Sequence, residues 1–312
     1  SQNEEQMSTE QTSCYGVGID LGTMNILSAR QTKDSKITTK RVRDAFIDLD
    51  GEAKKALKMT KVEYIERDGQ LIVIGDSALN MANLFKREVR RPLAKGVVAA
   101  GEFLAQEVLS LMIFQVLQEP LVQGEHCYYS IPAAPIDIPD QDVTYHREVF
   151  RKIISEFGYT PHPMNEAMAI IYSQCAEEQF SGLSVSFGSG MCNVALAYQT
   201  MMGMEFSIAR GGDWIDLHAA KATGMTASRI CAIKEKGGFN LASPPKNSRE
   251  AEAISLYIRS LISYSLEKIA YQFRRDAGKM ELSDPIPFVV SGGTMRAEGF
   301  MDIFKEEFEA MK

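Results

Sequence analysis

The sequence predicts an α/β protein made of two related halves, each with its own β-sheet. Three observations lead to this prediction. A hairpin of two apolar strands around a tight glycine turn occurs twice, once near the start of each half. Short segments with strand periodicity alternate with longer segments of helical periodicity. The chain has 312 residues, about twice the usual length of a single domain.

The first hairpin begins with an alternating apolar strand at residues 15–21 and continues into a second strand at 26–29. The turn between the strands consists of Gly22, Thr23, Met24 and Asn25. Asp20 lies on the small-residue side of the first strand, where a carboxylate can hold Mg²⁺ through water. The alternative interpretation is an Asp that only caps its own turn.

The second hairpin repeats this pattern with strands at residues 183–187 and 194–198. Its turn begins with Gly188, Ser189 and Gly190. A third glycine turn follows the buried strand at 288–290, after the Asp284-Pro285 dipeptide, and consists of Ser291, Gly292, Gly293 and Thr294. Glycines at strand ends let backbone N–H groups approach phosphate oxygens without a side chain in the way.

The ordered set of three turns therefore predicts a polyphosphate held between two domains, with simple tight hairpins as the alternative. The chain has no G-x-x-x-x-G-K-[ST] sequence, which argues against a P-loop protein. No G-x-G-x-x-G sequence opens a helix after a strand, so a dinucleotide-binding fold is not supported either.

Helical periodicity predicts a set of helices between and after the hairpins. They span residues 77–91, 101–118, 145–157, 165–177, 213–223, 226–236, 249–274 and 297–311. The helix at 249–274 carries one apolar stripe with a spacing of three or four residues, typical of a core helix. Asn247 followed by Glu250 predicts a capping box at its start. Trp214, the only tryptophan, is expected to be a core residue.

These elements divide the chain into a disordered leader at 1–13, a first domain at 14–182 and a second domain at 183–312. A small charged subdomain is expected as an insertion at about 33–92 of the first domain, and about 213–285 forms a subdomain of the second. A basic cluster lies in the insertion and just after it, at Lys86, Arg87, Arg90, Arg91 and Lys95. It is interpreted as a solvated helix face or, alternatively, a contact between protomers.

Composition excludes several classes of protein. The formal net charge of −7 argues against nucleic acid as the partner. The five cysteines are dispersed, which argues against a disulfide framework or structural zinc and favours a reducing, cytoplasmic compartment. No apolar stretch reaches bilayer-spanning length, and the leader lacks an amphipathic face for direct membrane attachment.

In this order along the chain, the motifs resemble those of the actin, hexokinase and DnaK-chaperone superfamily of ATPases. The Thr-x-Asn ending of the first turn is most similar to bacterial actins of the MreB and MamK type. Other matching segments are residues 75–78, 91–98, 165–169, 211–216, 233–236 and 291–296. The resemblance implies an actin-like ATPase fold, with two duplicated α/β domains and a nucleotide cleft between them that binds ATP or ADP with Mg²⁺.

The resemblance also implies roles for individual residues. Asp20 would hold Mg²⁺ through water, and Glu166 would position the attacking water, with a plain helix-N-terminal Glu as its alternative. Lys234 and Glu235 would contact the ribose or the adenine, and Arg296 would stack on adenine; solvated surface charges are the alternatives. The remaining expected nucleotide-binding residues are Gly22, Thr23, Met24, Asn25, Ser186, Gly188, Ser189, Gly190, Gly211, Gly212, Asp213, Gly292, Gly293 and Thr294.

The chain departs from the superfamily pattern in its second hairpin. Ser186 stands where the family usually has an Asp that helps arrange the metal and the lytic water. Met191 stands where bacterial members often have Thr, and Asn193 falls where actin has a histidine near the water. ATP binding is therefore predicted more firmly than hydrolysis. The family's usual strand and helix after the final helix, returning to the first domain, are not evident before Lys312.

The leading functional hypothesis is an actin-like protein that self-associates into cytoplasmic filaments, with Mg-ATP binding and slow hydrolysis controlling assembly. Adaptor proteins of unknown identity are its expected partners, without direct membrane or nucleic acid binding. The first alternative is a hydrolysis-deficient nucleotide-binding scaffold that recruits a partner, because of Ser186. The second is a small-molecule kinase of the same fold, against which no sizeable substrate-binding insertion is evident.

Overall fold

A computed structural model describes residues 16–276, 282 and 285–311. The predicted disordered leader at 1–13 and Asp284 lie outside these residues. The strands are β1 (Val17–Leu21), β2 (Asn25–Gln31), β3 (Ile37–Arg43), β4 (Phe46–Asp50), β5 (Ile65–Arg67), β6 (Gln70–Ile74), β7 (Leu93–Ala94), β8 (Val97–Val98), β9 (His126–Ile131), β10 (Thr160–Asn165), β11 (Gly182–Phe187), β12 (Cys192–Tyr198), β13 (Met201–Ile208) and β14 (Phe288–Ser291). The helices are α1 (Lys54–Thr60), α2 (Asp76–Phe85), α3 (Ala105–Leu117), α4 (Thr144–Glu156), α5 (Glu166–Gln174), α6 (Gly212–Thr223), α7 (Ala227–Lys236), α8 (Arg249–Asp276) and α9 (Phe300–Glu309).

The two large sheets share one topology. In the first half the strand order is β10-β9-β1-β2-β3, with β1, β2 and β3 antiparallel and β9 parallel to β1. In the second half the order is β13-β12-β11-β14, with β11, β12 and β13 antiparallel and β14 parallel to β11. The hairpins β1–β2 and β11–β12 therefore hold equivalent places, and the predicted pair of related α/β halves is confirmed.

A small separate sheet, in the order β4-β6-β5, packs with α1 and α2 around Leu57 and Leu71. It begins at Phe46, later than the predicted start of the insertion at about residue 33, because β3 pairs with β2 along its whole length and belongs to the large sheet. The predicted helix at 77–91 is also too long. It ends at Phe85 because Lys86 adopts φ +52°, a left-handed conformation that stops the helix.

Each of the two large sheets packs against its own set of helices. α3 and α4 share an apolar core with the strands of the first sheet. The second sheet shares its core with α6, α8 and α9, and α5 packs against its other face through Met168 and Ile171. α8 buries the predicted apolar stripe. Its cap differs from the prediction, because Ser248 Oγ, and not Asn247, accepts the N–H of Ala251 at 3.2 Å.

Candidate functional site

The turns of the two hairpins have the same local geometry. A Cβ on Gly22 would lie 2.7 Å from the carbonyl oxygen of Asn25, and a Cβ on Gly188 would lie 2.8 Å from that of Met191. In each turn, the carbonyl group of the third residue after the glycine lies so close to the glycine Cα that only a hydrogen atom fits there. Asp20 and Ser186 occupy equivalent positions, two residues before these glycines.

The second hairpin reaches across to the first half. A Cβ on Gly190 would lie 2.3 Å from the backbone nitrogen of Gly96 and 2.5 Å from Thr23 Oγ1. Gly96 is the left-handed turn residue between β7 and β8, and the side chain of Met191 packs on it. The two glycine turns and the β7–β8 turn are therefore in direct contact, so the cleft between the halves is closed in this structure.

The third glycine turn packs on the second hairpin. Gly292 has φ +100°, and a Cβ there would lie 2.4 Å from the carbonyl oxygen of Phe187. Thr294 Oγ1 donates to the carbonyl oxygen of Gly188 at 3.2 Å. Gly211 is equally close, since its Cβ would lie 2.5 Å from the carbonyl oxygens of Gly188 and Ser189. The structure thus brings together the separate turns that the sequence predicts to act on one ligand.

Two carboxylates face each other near the ends of β1 and β10. Asp20 Oδ1 accepts a hydrogen bond from Ser130 Oγ at 3.0 Å, and the Ser130 hydroxyl in turn accepts the N–H of Leu21 at 2.9 Å. Asp20 is open to solvent, but the walls of the cleft partly desolvate it. This desolvation raises the pKa of Asp20, and the bond from Ser130 opposes the rise.

Glu166 is the first residue of α5 and is held by the second hairpin. Its Oε1 accepts from Ser186 Oγ at 2.6 Å, and its Oε2 accepts from Asn193 Nδ2 at 2.9 Å. Burial, followed by the charge of Asp20, raises the pKa of Glu166 to about 7. At neutral pH this group can therefore both accept and return a proton, as a residue that activates water must.

The local sequence explains the position of Glu166. Asn165 caps α5, because its Oδ1 accepts the N–H groups of Ala167 and Met168 at 2.9 and 3.1 Å. The cap fixes the start of the helix, and with it the direction of the Glu166 side chain. Beside Glu166, the buried Oδ1 of Asn193 has no hydrogen-bond partner among the described residues, so it can accept a bond from a donor such as water.

These residues fit a hydrated divalent cation. Asp20 offers an accessible carboxylate next to Glu166, and Mg²⁺ binds one or two carboxylates and keeps several waters while phosphates complete its shell. No cluster of three or more His, Cys, Asp or Glu side chains suited to a metal occurs in the described part of the chain. A metal here would accordingly be held largely through water and phosphate oxygens.

Two ion pairs between described residues cross the cleft. Arg91 Nη1, in the first half, lies 3.1 and 2.9 Å from the two carboxylate oxygens of Asp213, and Asp213 Oδ1 also accepts from Ser189 Oγ at 2.8 Å. Arg43, at the end of β3, pairs with Glu235 on α7 at 3.1 Å. The closed cleft is thus bridged by charged side chains as well as by the contact at Gly190.

The interpretation of the basic cluster as one solvated helix face is wrong. Lys86 and Arg87 are exposed after the end of α2. Arg90 instead donates to Asp48 at 2.8 Å within the first half and lies over the ring of Phe46. Arg91 makes the cross-cleft pair. Because α2 ends at Phe85, Arg90 and Arg91 lie beyond the helix and their side chains turn inward.

Other predicted residues have partners that the sequence did not indicate. Lys234 Nζ pairs with the buried Asp216 at 2.6 Å and donates to the carbonyl oxygen of Gly212 at 3.0 Å, which ties α7 to the start of α6. Arg296 ends the 3₁₀ turn after β14 and is exposed. Trp214 is half-buried, with Arg210 over its ring and Tyr257 against it.

Ser130, Arg43 and Asp44 were not singled out from the sequence. Ser130 is the penultimate residue of its strand, as Asp20 and Ser186 are of theirs, and this position near a strand end is the signal that could have revealed it. Arg43 and Asp44 sit in a charged stretch with no distinguishing pattern. No helix among the described residues combines the length and apolar character needed to span a membrane.

The duplicated sheets, the paired glycine hairpins and the cleft between them define the actin-like ATPase fold. The chain is similar to MamK solved as a double helical filament (19% identity, TM-score 0.70, covering 95% of this chain and 90% of that one). It is similar to MreB5 of Spiroplasma citri bound to AMPPNP (16%, 0.61, 93% and 89%) and to the ethanolamine utilization protein EutJ of Carboxydothermus hydrogenoformans (15%, 0.54, 94% and 81%).

The family is given by sequence. The model of the Volactin family matches residues 16–312, and the chain belongs to that family. No curated protein matches the chain significantly by sequence.

Proposed function

We propose that this protein binds Mg-ATP between its two halves and polymerises into cytoplasmic filaments, with slow hydrolysis controlling assembly. One observation carries the proposal: both glycine hairpins, the third turn, Asp20 and Glu166 converge on one cleft. Backbone N–H groups at glycine turns and a carboxylate for a hydrated cation suit a nucleotide polyphosphate. The MamK filament and the AMPPNP complex of MreB5 support the same combination of assembly and nucleotide binding.

In the proposed mechanism, the polyphosphate lies against the turns of both hairpins. The backbone N–H groups of Gly22, Thr23 and Ser189 would donate to phosphate oxygens, and Asp20 would hold a hydrated Mg²⁺; the N–H of Gly188 is already bonded to the carbonyl oxygen of Met191. Glu166 orients the attacking water and takes its proton. Because the terminal phosphate touches both hairpins, its loss removes an attraction between the halves and reopens the cleft. Nucleotide state thereby biases assembly of the filament.

The test measures phosphate release and pelleting together, in the presence of ATP and of AMPPNP. We expect the wild-type protein to pellet with AMPPNP and to release phosphate slowly with ATP. Asp20→Ala should lose both properties. Asp34→Ala is the matched control, because Asp34 is an exposed carboxylate in the turn between β2 and β3. Absence of pelleting in every nucleotide and salt condition would overturn the filament part of the proposal.

A hydrolysis-deficient scaffold is the second candidate, favoured by the partners of Glu166. Ser186 and Asn193 are both neutral, so the second hairpin contributes no carboxylate beside Glu166. Ser186→Asp supplies the carboxylate that the superfamily usually has, and Ser186→Ala is its control. If Ser186 limits turnover, Ser186→Asp releases phosphate faster than wild type while Ser186→Ala does not. If neither variant gains activity, Ser186 is not the cause of slow hydrolysis.

A further inference from the structure

A buried carboxylate without a partner lies beside the cross-cleft ion pair. Asp44 follows β3 and is completely buried, and neither of its carboxylate oxygens has a hydrogen-bond partner among the described residues. Its backbone N–H donates to the carbonyl oxygen of Met24 in the first glycine turn at 3.0 Å. An unpaired buried carboxylate is costly, so this position needs a physical explanation.

The charged groups that face Asp44 are Arg91, Asp213 and Arg43, and the backbone N–H of Leu93 faces it without reaching hydrogen-bond geometry. Arg43 is engaged with Glu235, and Arg91 is engaged with Asp213. Burial dominates these influences and raises the pKa of Asp44 well above its usual value, which favours the neutral acid in the closed form.

Arg91 therefore stands between two carboxylates, one in each half of the molecule. It is bonded to Asp213 of the second half, whereas Asp44 of its own half goes without a bond. If the halves separate, Asp213 moves away with α6 and leaves a half-buried guanidinium without its partner. Asp44 and Arg91 both belong to the first half, so they stay together.

We propose that Arg91 is a two-position residue that pairs with Asp213 when the cleft is closed and with Asp44 when the cleft opens. In the closed position it also steadies Ser189 of the second hairpin through Asp213. Arg91 is thus a positioning residue for the nucleotide site, and Asp44 is the partner that stabilises the open form. The trigger, closure around a nucleotide, rests on the proposed function, whereas the exchange between partners does not.

The exchange has a pH dependence with a definite sign. Burial in the closed form favours the protonated acid of Asp44, whereas pairing with Arg91 favours its ionised form, so opening favours release of a proton. A higher pH consequently favours the open form and weakens the binding of a ligand that needs closure. Glu166 titrates in the same direction, because its negative charge repels phosphate. The contribution of Asp44 to the pH dependence of ligand affinity is therefore the difference between the pH dependences of wild type and Asp44→Asn.

The test measures the affinity for Mg-AMPPNP across pH in wild type, Arg91→Ala, Asp44→Asn and the double variant. We expect Arg91→Ala to bind more weakly by up to roughly tenfold, because the closed form loses the pair with Asp213 while the loss of the Asp44 pair in the open form offsets part of that cost. Asn at position 44 mimics the neutral acid but is a poorer partner for Arg91 in the open form. Asp44→Asn should therefore bind severalfold more tightly at pH 8 and show a shallower pH dependence.

The double variant distinguishes an effect of Asp44 through its pairing with Arg91 from an effect of Asp44 on local packing. If Asp44 acts through Arg91, Asp44→Asn has little effect on affinity once Arg91 is absent. An equal effect in both backgrounds, or an unchanged pH dependence in Asp44→Asn, would overturn the proposal. Arg91→Lys is the second variant should Arg91→Ala fold poorly, and it should retain part of the affinity.

Hydrogen exchange measured without nucleotide tests the role of Arg91 in closure independently of the proposed nucleotide binding. Arg91→Ala should accelerate amide exchange in residues 93–98 and 188–191, where the two halves touch, whether or not the protein binds ATP. Unchanged exchange there in Arg91→Ala would count against the role of Arg91 in closure. A wild-type protein that fails to bind Mg-AMPPNP would instead contradict the nucleotide site alone.

Discussion

The two glycine hairpins have the same fold and different chemistry. The first contributes a carboxylate, Asp20, which is open to solvent and held by Ser130. The second has Ser186 at the equivalent position and is surrounded by backbone, with Gly211 and Gly292 packed against it. The two copies of the element therefore differ in character: the first hairpin carries the carboxylate that would hold a cation in the proposed function, and the second is a closely packed turn.

The largest effect should follow from disturbing the closely packed turn. Gly292→Ala places a Cβ against the carbonyl oxygen of Phe187 and strains a backbone with φ +100°. We expect a loss of about 3 kcal/mol in the free energy of unfolding, measured by denaturant titration. Gly293→Ala is the matched control, because nothing lies within 4 Å of its added Cβ. Similar stabilities for the two variants would contradict the description of the second hairpin as closely packed.

Removing the charge of the first hairpin should affect binding and spare the fold. Asp20→Asn keeps an acceptor for Ser130 but loses the anionic ligand, so affinity for Mg-AMPPNP should fall by roughly 10 to 100-fold. The thermal midpoint should not fall, since desolvation by the cleft walls raises the pKa of Asp20 and already disfavours its ionised form. Isothermal titration with and without Mg²⁺ measures the effect. An undiminished Mg²⁺ dependence in this variant would assign the metal to another residue.

The charge of Glu166 should make stability depend on pH. Its pKa is about 7 in the folded protein, compared with a usual value of 4.5. As pH rises from 4.5 to 7, the unfolded chain loses this proton first, so the folded state is progressively destabilised and stays so above pH 7. Glu166→Gln removes the effect. It should be more stable than wild type at pH 8 by about 1–2 kcal/mol, and equally stable at pH 4.

Denaturant titrations at the two pH values measure this difference, and Glu178→Gln, an exposed carboxylate after α5, is the control. The same measurement in the Asp20→Asn background sharpens the comparison between hairpins. Because Asp20 contributes to the raised pKa of Glu166, the gain should shrink there. An unchanged gain would mean that burial alone sets the pKa of Glu166.

Local features of the site were accessible from the sequence, whereas contacts across the cleft were not. The turns around Gly22, Gly188 and Gly292 follow from glycines placed directly after alternating strands, a pattern confined to a few residues. Asp20 followed from its place on the small-residue side of the first strand, and Glu166 followed from the resemblance built on those motifs. Arg91 and Asp213 are 122 positions apart, and no periodicity connects them.

The errors in the fold have equally local causes. Helical periodicity predicts a helix up to residue 91, yet Lys86 turns to a left-handed conformation and the chain then pairs with β4 through Arg90. The charged, exposed sequence of β3 resembles a surface subdomain, although the strand lies at the edge of the large sheet. In both cases tertiary pairing overrides local propensity.

The smallest effect should come from the second cross-cleft pair. Arg43 and Glu235 are 15% and 44% exposed at their side chains, and such pairs contribute under about 1 kcal/mol. Arg43→Gln should therefore weaken Mg-AMPPNP binding by no more than a few-fold, less than Arg91→Ala does. The effect should fade at high salt, because the pair is open to screening. A loss as large as that of Arg91→Ala would mean that general attraction, and not the geometry at Asp213, closes the cleft.

Glu235→Gln turns this small effect into a test of the ribose contact. If Glu235 only bridges the halves, Arg43→Gln and Glu235→Gln remove the same interaction, and the double variant is no worse than either single variant. If Glu235 also contacts the ribose, Glu235→Gln weakens the binding of adenosine, which has no phosphate and does not need the two hairpins to meet. Comparing adenosine with AMPPNP in these variants therefore separates closure of the cleft from recognition of the nucleoside.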